Sequence, residues 1–425
     1  MTKGWFRCIG VVILFIVLLS GAASAADLVV LFQGQAKDQF VMEEILAQYE
    51  AEYGAEVDLI FTGTSWNALY ERFLILSLSG VPIDVVKLDK DWKVNGDEEL
   101  LLDLRKLAAE YEVELDFNAY YPQTLEFFSL GDAVYGLPIG VFPVVLYYNE
   151  QLFAYNAVVP PATDWESERW DWDEFVAAAV KLTADLNGDG RTDQWGLGYW
   201  AWQSGASMWG KGWLGPNLEL NFLEPESIAG MKRALELMLD YGAQANQAII
   251  HGLGAGWDGF GSDRLGMNSV GAYLIPQYAA NVIFDWNIGV HPKGTNPRTT
   301  SMSVDAVGIG ATTQNPAQAL HLLQYLAYNT DSATAVFAGL EFVPPLKELG
   351  PVWSNHQSFV YPSLHVSTIL QAVNYVELDH RYLHPKAAEL VAVEFPRELI
   401  EAGRLPLELA LEEYARQLRR VLDRE

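Results

Sequence analysis

Apolar residues recur along this chain with two different periods, and the switches between them mark its elements. Leu28 to Phe32 is a continuous apolar run that reads as a buried strand. Met42, Ile45, Leu46, Tyr49 and Tyr53 then fall at helical spacing, and Val57 to Phe61 is a second strand-like run. Trp66 to Leu78 reads as a helix, Gly80-Val81-Pro82 ends it, and Ile83 to Leu88 is a third strand. Strand, helix, strand, helix, strand predicts a parallel sheet with helices on both faces. In such sheets ligands bind beyond the carboxyl ends of the strands. Those ends are Gln33 to Gln35, Thr62 to Trp66 and Asp89 to Trp92, each carrying polar groups or a Trp.

Tyr135 to Asn149 is extended in character but holds Pro138 and Pro143. Proline argues against a central strand, whereas a crossing between two lobes tolerates it. Asp171 and Glu174 form an acidic capping box ahead of Phe175, Ala178, Ala179 and Leu182, and Gly196 to Trp202 reads as strand. Five Trp (195, 200, 202, 209, 213) lie among Gly, Ser and Gln between residues 195 and 213, the composition of a binding cleft. Asn315-Pro316 caps a helix carrying Ala319, Leu322, Leu323 and Leu326. A C-terminal amphipathic helix places Leu407, Leu411, Tyr414, Leu418 and Leu422 on one docking stripe.

Between helix and strand lies Asp185-Leu-Asn-Gly-Asp-Gly-Arg-Thr-Asp193. Oxygen side chains of Asp185, Asn187, Asp189 and Asp193 occupy positions 1, 3, 5 and 9 of an EF-hand-like loop. Gly190 supplies the turn and Arg191 the backbone carbonyl at position 7. Position 12 is Gly196 rather than a bidentate Glu, so further ligands would have to come from elsewhere. A structural Ca²⁺ is the reading. The same Asn-Gly and Asp-Gly pairs also mark plain turns.

Lys3 and Arg7, the apolar run Ile9 to Leu19, and Ala23-Ser24-Ala25 have the layout of a cleavable signal peptide over residues 1–25. The run is shorter than the roughly 20 residues of a membrane span. Cys8, the single cysteine, would leave with that leader, so no disulfide or thiol metal site is expected. Net charge is −28, and loss of Lys3 and Arg7 makes it −30. So acidic a chain repels phosphate backbones and anionic headgroups, which excludes nucleic acid and membrane surfaces as natural partners. The 14 Trp and 20 Tyr exceed ordinary core needs and suit a site that stacks on ligand rings.

In order along the chain, several segments resemble one family. They are Ile83-Asp-Val-Val86, Gly136-Leu-Pro138, Tyr147-Tyr-Asn-Glu150 with Leu152-Phe153, Pro160-Pro161 and Trp172-Asp-Glu-Phe175. Lys181-Leu-Thr183, the Asp/Gly loop before Trp195-Gly196, Leu265-Gly-Met-Asn268 and Ala306 to Gly310 follow. The chain is similar to family 1, sugar-type extracellular solute-binding proteins of ATP-driven (ABC) importers. That resemblance implies an α/β fold of type II, periplasmic-binding-protein-like, with two hinged lobes each built on a central sheet flanked by helices. It places residues 26–140 and 268–307 in the first lobe, and 141–267 and 308–425 in the second. It implies a monomeric, non-enzymatic, periplasmic or extracellular receptor that closes on its ligand and delivers it to a membrane permease. Tyr273, in Gly271-Ala-Tyr273, stands where the family carries a tryptophan-bearing turn.

A sugar fits the residues on its own terms. Pyranose C–H faces lie on aromatic planes and hydroxyls bond Asp, Asn and Gln. The leading wall residues are Trp66, Asp91, Trp202, Trp257 and Tyr273, followed by Gln33, Asp89, Trp92 and Trp209. A secreted carbohydrate-active enzyme is the rival class, but 55 acidic residues make carboxylate pairs uninformative. No nucleophile elbow or His-Glu-x-x-His motif is present. A receptor for a non-sugar solute such as a polyamine is the other alternative.

Overall fold

The computed structural model describes residues 26–95 and 98–424, so the expected leader with Cys8 lies outside the described residues. Strands β1 (Leu28–Phe32), β2 (Val57–Phe61) and β3 (Val85–Asp89) run parallel in the order β2-β1-β3. Helices Ala36–Tyr53 and Trp66–Leu78 connect them. Leu28, Val30 and Phe32 enter one hydrophobic core, Val29 and Leu31 another, because strand side chains alternate between faces. Burial on both faces explains why the run is apolar throughout.

A short hairpin, β4 (Ser129–Leu130) and β5 (Ala133–Val134), leads into the long strand β6 (Leu137–Asn149). The first half of β6 pairs antiparallel with β10 (Met302–Ile309), whose other edge pairs antiparallel with β3. The second half pairs with β8 (Leu265–Gly271) and β9 (Trp286–Gly289), and β7 (Trp195–Leu197) lies parallel to β8. β6 therefore joins two half-sheets. Its first half, which carries Pro138 and Pro143, is the edge of the first half-sheet, paired with β10 and otherwise bridged once at Val141–Val343, so the prolines sit where a crossing tolerates them. The pairing with β10 slips between Asp305 and Ala306, opposite Gly140 and Pro138, so Pro138 lies where the ladder is already interrupted.

The expected lobe boundaries shift. β9 and residues 268–271 of β8, expected in the first lobe, belong to the second half-sheet. Helices Pro316–Ala327 and Thr330–Leu340, expected in the second, bury Ala319, Leu323, Leu326 and Phe337 in the core that holds Leu28 and Val30. The chain leaves β10 at Ile309, beside β3, and so is already on the first half. The strand expected over 196–202 is only Trp195–Leu197, followed by a 3-10 turn at Trp202–Ser204. The capping box is formed as expected: Asp171 accepts from the Glu174 N–H, and Glu174 accepts from the Asp171 N–H. Helix Leu407–Leu422 docks through Leu407, Leu411, Tyr414 and Leu418. Among the described residues no helix is long and apolar enough to cross a membrane.

Candidate ligand site

Lys87 organises the wall built from the first half. It points from β3 into a buried box, where its ammonium bonds the Gln33 carbonyl at 3.1 Å, the Gln33 side-chain oxygen at 3.2 Å and Asp305 at 2.9 Å. The rings of Phe32, Trp66 and Phe342 lie 4.9, 4.9 and 5.3 Å from it. Gln33 in turn donates to the Thr64 carbonyl at 2.8 Å, tying the ends of β1 and β2 together. Trp66, half-buried, stacks on Tyr70. The Tyr70 hydroxyl donates to Asp89 at 2.8 Å and accepts the Asp89 N–H at 3.0 Å. Burial, then the nearby Asp91 and Asp305 carboxylates, push the Asp89 carboxyl up to about 7.

Tyr273 faces this wall from the second half. It is 43% exposed, and its ring meets Phe142 edge-on at 6.1 Å; Phe142 meets Phe342 at 5.0 Å, closing a line of rings back to Lys87 and Trp66. Gly271 makes that placement possible, because a Cβ there would fall 2.2 Å from the Tyr273 ring. Burial, with Tyr199 and Asp258 beside it, raises the pKa of the Tyr273 hydroxyl. Trp257, 45% exposed, sits in a loop turned by Gly254, Gly256 and Gly259 in left-handed conformations. Its ring meets Tyr199 edge-on at 6.2 Å.

Tyr199 also lines a cavity of about 460 Å³ built from the second half and the crossing strands. Val144, Ser269 and Ser301 form one side of it, and Trp213, Phe395 and Tyr414 supply rings. Its arginines are already satisfied. Arg381 Nε bonds both Asp379 oxygens at 3.0 and 3.1 Å and its Nη1 donates to the Tyr414 hydroxyl at 2.7 Å. Arg397 pairs with Glu401 and donates to the Tyr199 hydroxyl at 3.2 Å. The halves also touch where Lys90 lies 3.8 Å from the Tyr382 ring.

The sequence profile of bacterial extracellular solute-binding proteins matches residues 33–330. The chain belongs to that family. No curated protein matches it. The fold is that of solved members. An ABC substrate-binding protein from Listeria monocytogenes in complex with cycloalternan is 16% identical, with a TM-score of 0.76, and the match covers 94% of this chain and 100% of that one. The cyclic α-maltosyl-1,6-maltose binding protein from Arthrobacter globiformis is also 16% identical, at TM-score 0.74, covering 93% and 98%. UgpB from Mycobacterium tuberculosis in complex with glycerophosphocholine is 17% identical, at TM-score 0.73, covering 92% and 98%.

Within this solute-binding protein the sequence candidates divide. Gln33 and Trp66 gather around Lys87, Asp89 is bonded to Tyr70, on which Trp66 stacks, and Asp91 is half-buried beside Asp89 in an ion pair with Lys90 at 3.0 Å. Trp257 and Tyr273 stand part-exposed on the opposite wall. Three need correction. Trp202 is wholly buried and its indole N–H is spent on Glu401 at 3.0 Å. Trp92 is buried with its N–H on the Phe127 carbonyl at 2.8 Å. Trp209 wedges edge-on against Trp172 at 5.2 Å, under the Arg233 guanidinium. Each is packing, as a Trp most often is. Sequence reasoning missed Lys87, Tyr199, Glu377, Arg381 and Arg397. Tyr199 lies inside the Trp-rich segment that pointed to a cleft; the others carry no local motif.

The Asp/Gly loop folds on itself. Asp185 accepts the N–H groups of Gly188 and Gly190 at 2.7 Å each, which lowers its pKa. Asn187 accepts from Asp189, Asp189 from Arg191, and Asp193 from Leu186. A Glu at position 12 is barred, because a Cβ on Gly196 would fall 1.9 Å from the Ala179 carbonyl oxygen. Among the described residues no three Asp, Glu, His or Cys side chains converge as a metal centre requires. The donor order suits calcium, but the protein's own side chains alone do not complete a shell.

Proposed function

We propose that this solute-binding protein captures a neutral sugar or oligosaccharide between the Trp66 wall and the Tyr273–Trp257 wall. It then delivers the ligand, in the periplasm or at the cell exterior, to the membrane permease of an ABC importer. The observation that carries the sugar class is the line of part-exposed rings set beside amide and carboxylate groups. Such a surface takes both the C–H face and the hydroxyl edge of a pyranose. The wall cations named above each have an anionic partner: Lys87 with Asp305, Lys90 with Asp91, Arg381 with Asp379, Arg397 with Glu401. An anionic solute would find no open guanidinium or ammonium among them. Two of the similar structures have sugar ligands in their descriptions, in keeping with this reading. A ligand touching both walls favours the approach of the lobes, because only the closed arrangement gains both sets of contacts. Isothermal titration with maltose, maltotetraose, glycerophosphocholine and spermidine tests the class. Binding of a saccharide supports it; binding of only one of the other two refutes it.

The reading includes a structural calcium ion on residues 185–193, with water completing the shell. Its support is the spacing of Asp185, Asn187, Asp189 and Asp193. Calcium is expected to raise the unfolding midpoint and a chelator to lower it; a midpoint indifferent to both would show that the loop stands by its own hydrogen bonds.

A further inference from the structure

The loop that carries Trp257 has no regular structure to hold it. Residues 254–259 form neither helix nor strand, and three of them are glycines in left-handed conformations. A part-exposed ring on such a segment keeps one position only if something beside it is fixed. The next residue supplies that. Asp258 is 2% exposed, and its carboxylate accepts the Phe260 N–H at 2.9 Å and the Tyr278 hydroxyl at 2.8 Å. A buried carboxylate is tolerated only where donors meet it, so those two partners fix where it sits. Tyr278 is a firm post: it stands on helix Ile275–Asn281, with its buried ring against Tyr147, Phe260 and Trp286 at 4.9, 5.1 and 5.6 Å. Asn268, wholly buried on β8, extends the network. Its side-chain oxygen accepts the Tyr199 N–H at 2.6 Å, and its amide donates to the Asp258 carbonyl and the Tyr278 hydroxyl at 3.4 Å each. One buried network therefore fixes the backbones of both residues, Trp257 and Tyr199, whose rings meet outside it.

We infer that Asp258 is a positioning residue: from inside the fold, without touching ligand, it pins the glycine loop so that Trp257 stands ready against Tyr199, and it thereby sets the affinity of the site. The inference rests on the reading above that Trp257 belongs to the ligand wall, and adds which buried group gives that ring its place. The physical effect is preorganisation. A ring already held in position meets a ligand at no further cost, whereas one on a free glycine loop has to be immobilised, and that loss comes off the affinity. Fixing the backbone of a single residue is worth about tenfold.

The test is a double-mutant cycle on the mature chain: Asp258→Ala, Trp257→Ala and both together, titrated calorimetrically with maltose, maltotetraose and a cyclic maltooligosaccharide. Asp258→Ala should weaken binding about tenfold in the presence of Trp257 and by less than about twofold in its absence, because it acts through that ring. Asp258→Asn should recover most of the loss, since its oxygen can accept the Phe260 N–H and its amide can donate to the Tyr278 hydroxyl, which accepts as well as donates. Without ligand, deuterium exchange over residues 253–262 should be at least about tenfold faster in Asp258→Ala than in wild type. A tenfold loss that persists undiminished on the Trp257→Ala background would overturn the positioning role and leave the sugar reading standing. So would wild-type affinity in Asp258→Ala, or unchanged exchange of the loop. Wild-type protein that binds none of the saccharides would overturn the sugar reading and this inference together. Should Asp258→Ala fail to fold, Tyr278→Phe, which removes one hydroxyl and keeps the ring, takes its place in the cycle and decides.

Discussion

Replacing Asp89 with Asn should flatten the protein's pH dependence by an amount the site itself sets. Asp89 is held at about 7 against an ordinary 3.8, by burial first and by the Asp91 and Asp305 carboxylates after it. The folded protein thus keeps this proton more tightly than the unfolded chain does. Below about pH 4 both states hold it and it has no effect on stability. Between pH 4 and 7 the unfolded chain has released it and the folded protein has not, so stability falls as pH rises. Above pH 7 the loss is complete. About three pH units at about 1.36 kcal/mol each amount to roughly 4 kcal/mol. Asn keeps an oxygen to accept from the Tyr70 hydroxyl and the Asp91 N–H but does not titrate. Urea unfolding of both proteins from pH 4 to 8 should show the variant gaining on wild type by roughly 4 kcal/mol, with the gain levelling off above pH 7. Parallel stability curves would refute the reasoning, because they would mean that Asp89 is ionised, or protonated, alike in both states.

Other expectations follow from the same contacts. Lys87→Met leaves Asp305 buried without its cation, and should cost about 3–5 kcal/mol in denaturant unfolding; adding Asp305→Asn should restore most of it, and no recovery in the double variant would contradict the pairing. Trp202→Ala should destabilise by about 3–5 kcal/mol as a core truncation, with sugar affinity in the surviving folded fraction unchanged; a lost affinity at intact stability would return Trp202 to the ligand wall. Tyr273→Ala and Trp66→Ala remove part-exposed rings, so each should weaken sugar binding by about tenfold while shifting stability by only about 1 kcal/mol. Calorimetric titration alongside thermal unfolding separates the two effects.

Elements with a strong period were legible in the sequence. β1, β2, the helices after them and the C-terminal helix lie where the apolar spacing puts them, since burial on a fixed face leaves that spacing behind. The tertiary assignments were less so. Nothing in residues 316–340 says which half-sheet their apolar stripe will cover; only the course of β10 decides it. Pro138 and Pro143 were a usable signal, because they lie where β6 forms the edge of the first half-sheet before crossing to the second. The site was legible as a region and not residue by residue. Trp200 and Trp202 are two apart in the same aromatic segment, yet one indole finds Glu401 and the other finds no partner beside the cavity. Lys87 reads as an interruption of an apolar strand until Asp305, far along the chain, is brought to 2.9 Å from it. Glu377 and Arg381 lie in an irregular stretch and Arg397 opens the short helix Arg397–Glu401, where function depends on position in space and leaves no spacing to read.

The most direct test of the account is thermal unfolding of the refolded mature protein against a panel of neutral mono- and oligosaccharides. A sugar at 100 times its dissociation constant adds roughly 2.7 kcal/mol, enough to move the midpoint by about 2–4 °C or more. The account predicts such a shift with at least one neutral saccharide, with the sugar recovered unchanged afterwards. A midpoint that no saccharide moves, but that a polyamine or glycerophosphocholine raises, would contradict it.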